Sequence, residues 1–405
     1  MKTHNKAWLI EGSRTPIGSF GRTLKSVPVD KLAEHVMRNA VRRAGISPGL
    51  IDGIVFGHGY QSSYTPNTAR CAALAAGLPA HIPAKTVQRQ CGSGMESVNE
   101  AMKEIFLGNG DVYLVGGAES MSTVPYLLPG GMRFSGFLAR WFKFGPRPIF
   151  GKLADDGLVP KALFMDPKTT YMAGTAQRVA ETYGVSREAA DEYALRSQQL
   201  AAAAIKSGRF EREIDPIAVR GRGFFAVDEH PRNTSAEKLA ALSPVLKTRQ
   251  ITAGNSSGIN DGACALIVAS DQKASELGLQ PLAVLVDSAV AGVDPEQMGI
   301  GPVMAITKLL ERNQLTLADI DLIELNEAFA AQYLACEKLL GLDRNKVNVN
   351  GGAIALGHPI GMSGARLILT LAHELKLRGL KRGIASLCIG GGMGIATLVE
   401  APKKA

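Results

Sequence analysis

The chain has 405 residues, 46% of them apolar and 20% charged. That make-up belongs to a globular protein of two or three domains with a sizeable core, and it excludes a disordered or low-complexity chain. A net charge of +8 and a pI near 9.2 suit an anionic ligand, yet no block of Lys and Arg reaches nucleic-acid-binding density, which favours a small anionic substrate over DNA or RNA.

Five cysteines, at 71, 91, 264, 336 and 388, form neither a tight pair nor a Cys-x-x-Cys pattern. A reducing, cytoplasmic setting without a disulfide framework or a metal site is therefore expected. The first residues run straight into an apolar segment, with no signal-peptide pattern. No apolar stretch reaches the roughly eighteen residues that span a bilayer, and Pro402–Ala405 is not a peroxisomal address.

In chain order, Ala7–Ile10 reads as a strand, and Ile46–Gly57 as a turn leading into a second one. Next comes Val87-Gln88-Arg89-Gln90-Cys91-Gly92-Ser93-Gly94, where a lone thiol sits at the passage from an apolar segment to a helix. Free N–H groups and the positive helix end would favour a thiolate there; a small buried hydrophobe is the other reading. Val98, Met102 and Ile105 mark one apolar stripe of the helix that follows, and Asp111–Val115 is a strand.

Gly116-Gly117 then opens a long excursion of about 119 to 249, an insertion into a hairpin, before the strand Gly262–Val268 returns. Within it, Ser186–Gly208 is a capped, alanine-rich helix. In 133–152, Phe134, Phe137, Trp141, Phe142, Phe144 and Phe150 interleave with Arg133, Arg140, Lys143, Arg147 and Lys152. Such a stretch fits a membrane surface, a partner subunit or a long acyl chain, and equally a domain interior with basic residues in solvent.

The last third repeats the first. Ile46–Gly57 lies without gaps over Leu315–Asn326, Ser93-Gly94 matches Ser363-Gly364, and Val98, Met102 and Ile105 match Ile368, Ala372 and Leu375. Three matches in the same order, within one residue of the same offset, indicate two copies of one α/β unit. The predicted organisation is a first half of 1–118 plus 250–270, an inserted domain of 119–249 and a second half of 271–405. The second copy contributes two more glycine-rich segments, Asn350–Gly361 with His358 and Cys388–Gly394 with a second thiol, before a final strand Gly394–Val399.

With these segments in place, the chain closely resembles the thiolases, which transfer acyl groups between coenzyme A thioesters. The resemblance runs from Arg14-Thr15-Pro16-Ile17-Gly18 to the glycines after Cys388. It rests on Cys91-Gly92-Ser93-Gly94, Asn326-Glu327-Ala328-Phe329, Gly357-His358-Pro359 and Cys388-Ile389-Gly390-Gly391-Gly392. It implies a duplicated α/β fold with an inserted loop domain, and ping-pong chemistry through an acyl-cysteine.

Chemistry leads the same way. A cysteine thiolate is both acyl acceptor and leaving group, which suits Cys91. A neighbouring imidazole, His358, can take its proton, and a second thiolate poised near neutrality, at Cys388, can take the proton of the α-carbon. By resemblance, one oxyanion is held by His358 and a water on Asn326, the other by the N–H groups of Cys91 and Gly390. Glu327 is read as structural.

By resemblance also, Ala253 and Ser257, in Thr252–Gly258, contact pantetheine, Arg222 lies beside the adenine and phosphates, and Met298 and Phe329 line the acyl pocket or simply pack the core. The implied substrates are coenzyme A, acetyl-CoA and acyl-CoA, with no permanently bound cofactor, in a homodimer or homotetramer of fatty-acid metabolism (β-oxidation).

Tyr171-Met172-Ala173-Gly174-Thr175 departs from the short-chain thiolases, which have a histidine followed by Met-Gly-Thr. With 133–152, this suggests a longer or bulkier acyl group. Two alternatives stand beside the thiolase reading: a decarboxylating ketoacyl synthase, disfavoured because such enzymes use two histidines, and a membrane- or partner-tethered β-oxidation subunit.

Overall fold

A computed structural model describes residues 6–61, 64–127, 155–156 and 171–402. The aromatic and basic stretch 133–152 lies outside the described residues.

The first half runs β1 (Ala7–Arg14), β2 (Gly18–Ser19), α1 (Val29–Ala44), β3 (Gly53–Gly57), α2 (Thr68–Ala75), β4 (Ala84–Val87), α3 (Ser93–Leu107) and β5 (Val112–Ser120). The inserted region contributes α4 (Met172–Tyr183) and α5 (Arg187–Lys206). The chain then continues through β6 (Asn260–Ser270), β7 (Ala283–Gly292), α6 (Gly301–Arg312), β8 (Leu322–Leu325), α7 (Ala330–Leu340), α8 (Ile360–Arg378), β9 (Arg382–Ile389) and β10 (Met393–Glu400).

The main strands join one ten-stranded sheet in the order β8-β9-β10-β7-β1-β6-β5-β3-β4, with β2 on β6. The repeat is visible in strand direction. Outward from the central β1–β7 pair, each side has an antiparallel neighbour, a second antiparallel neighbour and then a parallel one. The excursion leaves after β5 and returns in β6, its antiparallel partner, whereas β9 and β10 are joined directly through Gly390–Gly392.

Alternation along the strands sorts the core into layers. Val55, Val115 and Leu266 from one side of the sheet, and Ala385, Leu387 and Ile395 from the other, pack with α3 and α8. Their neighbours Ile54, Phe56 and Leu114 face α1 and α2, while Ile323, Ile384 and Leu398 face α6 and α7. The two halves of the sheet thus enclose a central helix pair and carry outer helices on their far faces.

The helices follow from this placement. α1 buries Val29, Leu32, Ala33, Val36, Met37, Ala40 and Val41, one stripe at helical spacing, and stops at Gly45. The stripe expected on α8 is only part of what is covered: every residue from Ile360 to Leu375 is buried, because the helix is surrounded. Even Arg366 is enclosed, paired with Glu324 at 3.3 Å.

α3 and α8 meet backbone to backbone at their first turns. A Cβ at Gly94 would lie 2.5 Å from the Gly361 carbonyl oxygen, and one at Gly364 would lie 2.3 Å from the Met95 nitrogen. Glycine is required there because any side chain would separate the helices.

A buried charge cluster ties the inserted region to this core. Arg14 on β1 reaches Glu213 at 3.0 Å and Asp228 at 2.8 and 2.9 Å, and Arg209 joins Glu213 to Glu374 on α8. Arg14, Glu213 and Asp228 are buried, so losing one partner would strand a charge.

Gly94→Ala should destabilise the protein by about 2–4 kcal/mol despite alanine's better helix propensity. Gly49→Ala, where the nearest non-neighbouring atom to a new Cβ is 3.9 Å away, should stay within about 0.5 kcal/mol. Urea unfolding of both variants checks the contrast, and equal midpoints would contradict the close crossing.

Candidate active site

Both central helices start at the same place, and their entry loops carry the reactive residues. Cys91 sits between β4 and α3. Gln90, just before it, has φ 45°, a left-handed conformation that is uncommon outside glycine and that clusters at functional sites. The turn is held by the Ser93 hydroxyl, which donates to the Gln90 carbonyl at 2.6 Å and accepts the Arg89 N–H at 2.9 Å. The Cys91 sulfur accepts from the backbone N–H of Gly390 and from its own.

His358 precedes α8 and is buried. Its backbone N–H donates to Asn260 Oδ1 at 2.9 Å, and Nδ1 lies 2.6 Å from Ser363 Oγ. The Ser363 hydroxyl proton is committed to the Pro359 carbonyl at 2.8 Å, so its oxygen must accept from Nδ1–H. That assignment from the hydrogen-bond network leaves Nε2 as the basic nitrogen. Asn326 Nδ2 stands 3.5 Å from Nε2, and Asn326 Oδ1 has no hydrogen-bond partner among the described residues.

Cys388 is the next-to-last residue of β9, buried beside Met298, Ala328, Met172 and Phe329. It is close enough to Cys91 that charge on either sulfur disfavours charge on the other.

The electrostatics correct two expectations, a thiolate at Cys91 and one poised near neutrality at Cys388. A thiolate favoured by the helix end was anticipated, but burial pushes the Cys91 thiol up to about 11, with Glu119 adding to the rise against the two backbone N–H groups. Burial raises Cys388 well above an ordinary thiol as well. His358 is held down at about 4, first by burial and then by the charge of Arg366. Desolvation outweighs the dipole here, so both thiols and the imidazole rest neutral.

Two carboxylates shape the surroundings. Glu119 accepts the N–H groups of Gly59, Tyr60 and Gly361 at 2.9, 3.2 and 2.9 Å, and His58 Nε2 lies 3.3 Å away. Glu327 accepts from Tyr193 and Ser197, both at 2.7 Å, from Asn348 at 3.0 Å and from the Ile354 N–H at 3.2 Å. It binds α5 of the inserted region to the loops bearing Asn326 and His358, a structural part in keeping with its reading from sequence.

The residues expected to hold coenzyme A are more dispersed. Ala253 and Arg222 are exposed, Arg222 in the turn between strands Ile217–Val219 and Gly223–Phe225. Ser257 is half-buried, and its N–H donates to the Ala328 carbonyl at 2.9 Å, beside the Cys388 wall. Met298 is buried and Phe329 half-buried, both in that wall.

Glu119, Ser363, Tyr60, Met121 and Met172 were not singled out for the site from sequence. Only Ser363 carried a usable signal, since a side chain in a first helical turn points back toward the residues before it.

The two central helices begin side by side, Cys91 and His358 stand in the loops that enter them, and Cys388 lies close to Cys91, an arrangement that can support acyl transfer through sulfur. Residues 7–272 match the family model for the thiolase N-terminal domain and 279–401 that for the thiolase C-terminal domain. An acetyl-CoA acetyltransferase of Syntrophomonas wolfei is 46% identical over 97% of this chain and 98% of its own length. Among solved structures, the Bacillus anthracis acetyl-CoA acetyltransferase superposes with TM-score 0.92 at 47% identity, covering 99% of this chain and all of that one. Human mitochondrial 3-ketoacyl-CoA thiolase in complex with CoA gives TM-score 0.88 at 41% identity, over 98% of both chains. The chain belongs to the thiolase family, and it is an acyltransferase acting on coenzyme A thioesters. Neither alternative activity finds support in these relatives.

Because burial dominates both sulfurs, iodoacetamide labelling of Cys91 in the free protein should climb steadily from pH 7 through pH 10, toward the value of about 11. Peptide mass spectrometry of the labelled sample reads this out. A plateau reached by pH 7 would mean a resting thiolate.

Proposed function

We propose that Cys91 carries the acyl group, that His358 and Cys388 move the protons, and that Asn326 and the backbone N–H of Gly390 help to hold the two oxyanions. The observation that carries this reading is the tautomer of His358, which leaves Nε2 free as a base toward Asn326.

In thiolysis, His358 Nε2 takes the Cys91 proton as sulfur attacks the C3 carbonyl of a 3-ketoacyl-CoA. The tetrahedral oxyanion is held by the N–H groups of Cys91 and Gly390. Its collapse breaks the C2–C3 bond and leaves the acyl group on sulfur, while the electron pair passes to the enolate of acetyl-CoA. Imidazolium N–H and Asn326 face that enolate oxygen, and the Cys388 thiol protonates its carbon. Coenzyme A then gives its thiol proton to the Cys388 thiolate and takes the acyl group from Cys91, whose departing sulfur regains its proton from the His358 imidazolium. Condensation is the same path reversed.

The raised Cys388 thiol suits this work. A thiol that ionises reluctantly gives a stronger base once ionised, which a weakly acidic Cα–H needs. Mutual repulsion keeps the two sulfurs from being charged together, so a proton on one accompanies charge on the other.

For coenzyme A, Ala253 and Ser257 would meet pantetheine, and Arg222, exposed on its hairpin, the adenine and phosphates. Met298 and Phe329 would flank the reacting carbons. Residues 119–249 form the loop domain of this reading, between 1–118 with 250–270 and 271–405. We place the protein in the cytoplasm, as a homodimer or homotetramer in β-oxidation; its free cysteines fit a reducing compartment.

Brief exposure to acetyl-CoA should add one acetyl group to the peptide containing Cys91, and Cys91→Ala should lose turnover by at least about a thousandfold. Cys388→Ser should still form the adduct while losing exchange of the acetyl-CoA α-protons with deuterated water. An adduct on another cysteine, or unchanged exchange in Cys388→Ser, would overturn these roles.

A further inference from the structure

The Cys91 side chain packs against an apolar group that the mechanism does not use: Tyr60, Met121 and Ile360, with Val124 at its margin. These residues come from three separate loops, after β3, after β5 and at the start of α8. They retain only 9%, 7% and 8% exposure. They are close enough to the sulfur to touch whatever it carries.

Their backbones are fixed by one carboxylate. Glu119 accepts the N–H of Tyr60 itself and that of Gly361, next to Ile360, and it lies two residues before Met121. On the other side of Met121, Asp261 accepts the Ser122 N–H at 2.9 Å and its hydroxyl at 2.5 Å. The Gly59 N–H also ends on Glu119, where a Cβ would meet both the carboxylate and Ile360 at 2.7 Å. A surface anchored at this many points cannot swing aside for a larger group.

The apolar residues beside Cys388 are a different set, Met298, Ala328, Met172 and Phe329. The acyl group on Cys91 and the carbon acid at Cys388 therefore meet different walls. We propose that Tyr60, Met121 and Ile360 set the size of the acyl group carried on Cys91, favouring acetyl over longer straight chains. This rests on the reading of Cys91 as the acyl carrier. It runs against the bulkier acyl group that the sequence suggested.

The test isolates the first half-reaction. The full-length protein is mixed with acetyl-CoA or hexanoyl-CoA, and the rate of adduct formation on Cys91 is followed by mass spectrometry. The wild type should acetylate at least about tenfold faster than it hexanoylates, in line with what a few methylenes cost in a closed pocket. Met121→Ala should raise the hexanoyl-to-acetyl ratio about tenfold, and Ile360→Val, a gentler change on the same wall, should raise it less.

Adducts on Cys91 whose ratio ignores both variants would overturn the wall alone. So would a wild type that takes both acyl groups at equal rates. No adduct from either thioester would remove the acyl-carrier reading, and the wall with it.

Discussion

The contact on which the rest of the molecule depends is the crossing of α3 and α8. Ser93-Gly94 and Ser363-Gly364, equivalent positions of a duplicated unit, face each other where both helices begin, with Gly361 inside the same contact. The sheet curls around this pair, and the outer helices pack on its far faces. Since the N-termini coincide, the loops that enter them converge as well. Cys91 and His358 stand in those two entry loops although 266 residues of chain separate them, and the end of β9 brings Cys388 near Cys91.

The same enclosure sets the electrostatics. Packing takes the two thiols and the imidazole largely out of water, so all three rest in their neutral forms. Charge appears as substrate arrives, and fixed N–H groups then act in a medium of low polarity, where they count for more than in water. Ser363 belongs to this arrangement: by accepting from Nδ1 it ensures that the nitrogen turned toward the chemistry is the one able to take a proton.

Much of this was legible in the sequence, because the repeat and the glycine clusters report backbone geometry directly. Gly94 and Gly364 could be aligned, the return strand after the excursion could be identified, and the four motifs pointed to the family. Other features required the fold. One apolar stripe predicts one covered face, and nothing in the residues of α8 announces burial on every side, least of all Arg366. The balance between helix dipole and desolvation at Cys91 depends on how deeply the turn is packed, which spacing does not encode. Glu119 carried no signal and Glu327 could be read only as structural, because the donors that hold both lie on distant segments that only folding brings together.

The most direct test of a shared pocket is a crystal structure of the protein after exposure to acetyl-CoA. The account predicts an acetyl group on Cys91 Sγ, its carbonyl oxygen about 3 Å from the backbone N–H groups of Cys91 and Gly390, with His358 Nε2 and the Cys388 sulfur facing the space beside it. An acetyl group turned away from Gly390, or His358 and Cys388 directed to separate surfaces, would contradict it.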